Sequence, residues 1–221
     1  MLKRILEPEI MDTEEDAIEY DSIPNDDINV AFMNEVLLRV PEHATTLVDL
    51  GCGPAHIPII FALTNPKYKI HAVELAGNMI TVAKSNIEKA KVTDKIVLTQ
   101  ADIKNTYLPE NNFDIVLSNS VVHHIHHPVN FFSEARRLAS KDSLIHFKDL
   151  LRPKSLGELD HLVNLYAGDV NQYQRQLFHQ SLHAALTIDE VLIFAKEAGL
   201  KNIIIKQTSD RHWTMSCLRG K

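Results

Sequence analysis

The spacing of apolar residues changes period several times along the chain, and each change marks an element. Residues 29–40 place Val30, Phe32, Met33, Val36, Leu37 and Val40 at helical intervals, and Pro41 stops them. A short apolar run over 46–50 then reads as a strand entering Gly51-Cys52-Gly53. Further strands are expected at 69–74, 96–99, 113–118 and 144–150, alternating with helices at 55–63, 78–90, 128–139 and 187–198. In helix 78–90 one face gathers Met79, Val82, Ala83 and Ile87. Thr187 is placed to cap the last helix and Gly199 to end it. This alternation predicts an α/β fold with a parallel, doubly wound sheet. Strands at 203–207 and 213–218 lie at hairpin spacing, so the sheet should end in an antiparallel pair.

Two stretches depart from that rhythm. Residues 152–186 are too long for a plain crossover and read as an inserted helical cap rich in polar side chains. Residues 1–28 precede the first helix as an acidic segment, with a break expected at Pro24 and Asn25. Met11, Ala17, Ile18 and Tyr20 give it helical spacing, so it is read as an N-terminal lid over a domain spanning 29–221.

Charge sharpens the picture. The 221 residues carry a formal net charge of −6. Residues 1–30 hold ten acids against Lys3 and Arg4, a balance of −8, which leaves the rest of the chain at +2. That balance disfavours avid binding to a phosphate backbone. No apolar run is long enough to span a bilayer, and no secretory signal follows Met1, so a membrane is not expected. Cys52 and Cys217 form no disulfide framework, which makes a reducing, cytoplasmic setting the default.

The chemistry concentrates at Asp49-Leu50-Gly51-Cys52-Gly53-Pro54-Ala55. A strand runs into a glycine turn that opens a helix, where the backbone can approach a ligand closely. The third glycine of a dinucleotide fingerprint is missing, and the acid before the first glycine suits an ammonium better than a pyrophosphate. Glu74 ends the second strand, Ala101-Asp102-Ile103 follows the third, Asn119-Ser120 leaves the fourth, and Asp149-Leu150 closes the fifth. In this order and spacing the chain resembles the class I S-adenosylmethionine-dependent methyltransferases of the small-molecule type, over 29–150 in motifs and beyond that in topology. The family's final glycine is replaced by Ala55.

The resemblance implies a Rossmann-like sheet of seven strands with an antiparallel last strand. It implies S-adenosylmethionine as cofactor and a small-molecule methyl acceptor. Asp49, Gly51, Cys52 and Gly53 would cradle the methionine part, Glu74 the ribose, Leu75, Met79, Asp102 and Ile103 the adenine, with Asn119 and Ser120 alongside. Tyr20 would reach the cofactor's carboxylate from the lid. Methyltransferases acting on nucleobase or glutamine amino groups resemble one another in an Asn/Asp-Pro-Pro-Tyr segment after the fourth strand. Here Asn119-Ser120-Val121-Val122 stands instead, which disfavours nucleic acid as partner. An RNA or protein methyltransferase and a non-catalytic cofactor-binding module are the rival readings, and monomer and homodimer stay equally open.

Four histidines follow the fourth strand: His123, His124, His126 and His127. They are open to a structural or cofactor-flanking role, to general-base work, for which His124 is the preferred candidate, and to metal binding. No third ligand with recognisable spacing accompanies them, so no metal is expected. Tyr166 and Tyr173 of the insert and Arg211 near the last strand are the substrate-side candidates; each has a plain surface or core reading beside it.

Overall fold

The computed structural model describes residues 2–9, 12–23 and 26–220. Ile10, Met11, Pro24 and Asn25, which entered the reading of the N-terminal segment, lie outside the described residues.

Seven strands form one sheet in the order β3-β2-β1-β4-β5-β7-β6. They are β1 (Thr46–Leu50), β2 (Lys69–Glu74), β3 (Ile96–Gln100), β4 (Phe113–Asn119), β5 (Ala139–Leu150), β6 (Ile203–Gln207) and β7 (His212–Arg219). The first five pair in parallel, while β7 runs antiparallel to both β5 and β6. The expected parallel sheet with an antiparallel edge pair is therefore present. Strand order reverses beside β1, and the crevice at the carboxyl ends of β1 and β4 is where open sheets of this kind bind ligands.

Successive side chains of a strand face opposite ways, and that splits the core in two. Leu47, Ile70, Ile115 and Leu144 pack with α2 (Asp26–Leu37), α3 (His56–Thr64) and α4 (Gly77–Lys89). Val48, Val73, Val116, Ile145 and Phe147 pack with α5 (Pro128–Leu138), α8 (Ile188–Glu197) and Trp213.

Two boundaries move for physical reasons. The fifth strand begins at Ala139 and not at 144, because Ala139 pairs with Phe113 before a register shift in β4. The helix expected over 29–40 covers Asp26–Leu37, and the charge of Asp27 in its first turn suits the helix dipole.

The insert folds as two helices, α6 (Leu156–Tyr166) and α7 (Gln172–Ala184), which close a small core of their own around Leu159, Leu162, Val163 and Leu182. The N-terminal segment contains α1 (Glu14–Asp21), capped by a reciprocal Thr13–Asp16 box, with Ala17 packed on Ala76 and Met79 of α4. Among the described residues no helix is long and apolar enough to cross a membrane, and Cys52 and Cys217 are buried and free.

Candidate functional site

The turn after β1 is built from backbone conformations that side chains rarely adopt. Gly51 (φ +77°) and Gly53 (φ +53°) both lie in the left-handed region. The amides of Gly51 and Cys52 donate to the Val73 carbonyl at 2.8 and 3.0 Å, tying the turn to β2. A Cβ on Gly51 would stand 2.5 Å from Val121 Cγ2, so that position also lacks the room.

Asp49 ends up 1 % exposed, with Oδ1 unpartnered. Burial, reinforced by the Glu74 charge, pushes its pKa up to about 7. An orphaned acid oxygen at the carboxyl end of a parallel strand is a socket for a cation or a hydrogen-bond donor. Glu74 is more committed: its oxygens accept from the amides of Gly53 (3.0 Å), Leu75 (2.8 Å) and Ala76 (3.0 Å). A carboxylate has about four acceptor sites, so capacity remains for a hydroxyl.

Tyr20 of α1 arches over this turn, with its ring edge 3.6 Å from where a Gly53 Cβ would be. One flank of the ring is exposed, but burial at the hydroxyl end and the charges of Asp149, Glu74 and Asp49 push its pKa up to about 12. The phenol stays protonated and can donate. Cys52 is buried, and burial pushes its thiol well above the ordinary range, so it is inert packing beside the turn.

The neighbouring loops bring further candidates to the same edge. Met79 and Ile103 are buried and Leu75 is half-buried. Asp102 is engaged by Lys104, through the backbone amide at 2.8 Å and the ammonium at 3.3 Å. Asn119 and Ser120 are half-buried, and Ser120 takes φ +57° where the chain leaves β4.

The substrate-side candidates divide. Tyr166 and Arg211 come together: the guanidinium lies 3.3 Å above the ring, and both side chains reach Asp210. Tyr173 is elsewhere, and its hydroxyl donates to Asp16 of α1.

Sequence reasoning missed the centre of the histidine cluster. Val122–His124 forms a 3-10 turn held by Asp149, whose Oδ2 accepts from the amides of Val121 (3.0 Å), Val122 (2.5 Å) and His123 (3.3 Å). Oδ1 of the same carboxyl meets His123 Nδ1 at 2.5 Å. Burial opposes charge on His123, but the Asp149 charge and hydrogen bond outweigh it and raise the imidazole's pKa. His124 behaves oppositely: burial, then the neighbouring His123, pushes its pKa to about 3, too low for an effective base near neutral pH. Glu7, buried beneath both rings, was indistinguishable in the sequence from the solvated acids around it. His126 and His127 are exposed.

The donor set fits S-adenosylmethionine. Asp49 offers a bare acceptor for its ammonium and Glu74 retains acceptor capacity for its ribose, beside a turn in which only glycine fits at position 51.

A family model described as a methyltransferase domain matches residues 41–199. The biotin biosynthesis bifunctional protein BioHC of Saccharophagus degradans is 29 % identical over 87 % of this chain and 32 % of its own length. The release factor glutamine methyltransferase of Rhodopirellula baltica is 32 % identical over 34 % of this chain and 25 % of its own. The chain thus spans a quarter to a third of the length of these curated relatives. The phosphoethanolamine N-methyltransferase 2 of Haemonchus contortus, solved with S-adenosyl-L-methionine, superposes at TM-score 0.73 and 14 % identity, over 95 % of this chain and 58 % of that one. At that identity the likeness shows the fold.

Proposed function

The chain belongs to the methyltransferase-domain family, and from that premise we propose that it transfers the methyl group of S-adenosylmethionine to a small-molecule acceptor. The observation that carries the reading is the unpartnered Asp49 Oδ1 beside the glycine turn, with Glu74 one strand away. Bound there, the cofactor supplies an electrophilic methyl on a sulfonium. Asp49 receives the ammonium, Glu74 the ribose hydroxyls, and Leu75, Met79, Asp102 and Ile103 enclose the adenine. Asn119 and Ser120 border the methionine part, and the Tyr20 hydroxyl donates to its carboxylate.

The chain's contribution to the displacement is alignment and exclusion of water. Several segments supply the exclusion. Arg4 donates to the carbonyls of Ala184 (2.6 Å), His123 (3.0 Å) and Ile125 (3.0 Å), which ties the N-terminal segment to both the insert and the histidine turn. Glu9 bridges the His126 amide (2.8 Å) and Lys104 (3.0 Å). Such a covered site suits a small acceptor better than a polymer, and the near-neutral charge outside the first 30 residues points the same way.

The test is direct. The purified chain is incubated with S-adenosylmethionine and either a fractionated metabolite pool, tRNA or total protein, and adenosylhomocysteine is measured. Turnover with the metabolite fraction alone supports the reading. Turnover only with tRNA or protein would replace the acceptor class, and calorimetric binding without any turnover would leave a cofactor-binding module.

A further inference from the structure

Three atoms able to ligate a metal converge beside the histidine turn. Glu7 Oε1 lies 3.2 Å from His124 Nδ1 and 3.6 Å from His123 Nε2. All three atoms fall within 4.8 Å of one another. Glu7 Oε1 and His124 Nδ1 are buried without a hydrogen-bond partner.

An outer contact fixes which ring nitrogen of His123 is bare. His123 Nδ1 gives its proton toward Asp149 Oδ1, which turns the Nε2 lone pair toward Glu7. His124 Nδ1 is buried without a hydrogen-bond partner and lies 3.2 Å from the same carboxylate. The other oxygen of Glu7 accepts from Ser181 Oγ at 3.2 Å. His123 and Glu7 are thus oriented from behind by outer partners, the arrangement that holds metal ligands in place.

We propose that Glu7, His123 and His124 form a three-ligand site for a divalent transition metal, with zinc the best fit and a fourth position left open. Bonds of about 2.0–2.1 Å in a tetrahedron give ligand-to-ligand edges of about 3.3 Å. The two measured edges, 3.2 and 3.6 Å, bracket that value. Two imidazoles and one carboxylate select zinc, iron, cobalt or nickel over magnesium and calcium. The site also explains how an acidic residue so early in the chain comes to be buried, because the ion would staple the N-terminal segment to the end of β4. The proposal is independent of the methyl-transfer reading. Its rival is a proton, with His123 an imidazolium between Asp149 and Glu7.

The experiment is metal binding by the full chain, stripped with a chelator and titrated with Zn2+ against a chromophoric competitor, and with Co2+ followed by its visible absorption. One tight Zn2+ per chain, a four- or five-coordinate Co2+ spectrum, and a loss of about tenfold or more in affinity in both Glu7→Gln and His124→Gln support the site. His179→Ala, which removes the exposed His179–Asp160 pair, should leave the tight class unchanged. Thermal melts confirm that the variants fold, and Zn2+ should raise the wild-type midpoint more than theirs. Absence of a tight Zn2+, or a tight Zn2+ whose affinity ignores Glu7 and His124, overturns the proposal in favour of the proton.

Discussion

Asp49 is a buried acid whose charge has no partner of its own. With a pKa of about 7 it is divided between its two forms near neutrality. A ligand ammonium favours the carboxylate, so binding below that pKa must expel a proton. Affinity for adenosylhomocysteine, which shares the ammonium, should therefore rise as pH increases from about 6 to 7 and then level off. Calorimetry at about pH 6 in buffers of different ionisation enthalpy should register the proton released. Asp49→Asn should abolish the dependence and weaken binding by about 1.5–3 kcal/mol, the loss of one charged hydrogen bond. A flat wild-type profile would remove Asp49 from the ammonium site. At Gly51 the reasoning is steric: alanine would meet Val121 at 2.5 Å in a φ +77° conformation. Gly51→Ala should lower unfolding free energy by about 2–3 kcal/mol and impair cofactor binding.

At the scale of elements, α1 is held by polar contacts more than by apolar ones. Tyr173 donates to Asp16, Gln174 meets Glu19 at 2.7 Å, and Asn86 meets Asp21 at 2.7 Å. Partly exposed contacts of this kind contribute little each, so α1 belongs to the easily opened part of the molecule. If it is a lid, hydrogen exchange over residues 12–23 should slow when adenosylhomocysteine is added, and Tyr173→Phe should restore part of the faster exchange. Exchange indifferent to cofactor and acceptor alike would make α1 a fixed flank. The preceding stretch is different in kind. The sequence reads residues 1–28 as a lid, but Leu2 joins the small core of the insert and Arg4 closes three carbonyls. Deleting residues 1–22 should accordingly cost stability as well as activity. A comparison point lies on α8, where Thr187 and Glu190 form a capping box and Glu190 also holds Arg152 at 2.6 Å. Thr187→Ala should destabilise the protein by about 1 kcal/mol in denaturant without changing cofactor affinity.

For the whole molecule, buried histidines set the acid limit. His146, in the middle of β5, bonds Ser216 at 2.9 Å, and burial pushes its pKa to about 3. Burial likewise lowers His212, to about 4. A histidine depressed in the folded state binds its proton more readily once unfolded. Its contribution is complete above about pH 6.5 and drains away as pH falls toward the folded value. Stability measured by denaturant should therefore drop steadily between about pH 6.5 and 4, and His146→Phe should flatten the drop. An unchanged slope in that variant would mean that His146 is solvated on the acid limb.

The α/β rhythm, the antiparallel edge pair, the capped last helix and the Asp49-to-Glu74 spacing were legible in the sequence. All of them are local: hydrophobic period, turn residues and caps act within one or two elements, and the strands β1, β2 and β6 fall where the pattern puts them. The register shift that starts β5 at Ala139 was invisible because it depends on Phe113, a residue of another strand. The histidine cluster shows the same limit at the site. Four histidines could be seen, but the choice among them rests on Asp149 from β5 and Glu7 from the N-terminal segment. Those two carboxyls are set beside the turn by sheet pairing and by the anchoring of Arg4, contacts between distant parts of the chain. Ionisation follows the same division. Asp and His supply ordinary pKa values in any sequence, and only burial and close charges, which exist once the chain has folded, push Asp49 up to about 7 and His124 down to about 3.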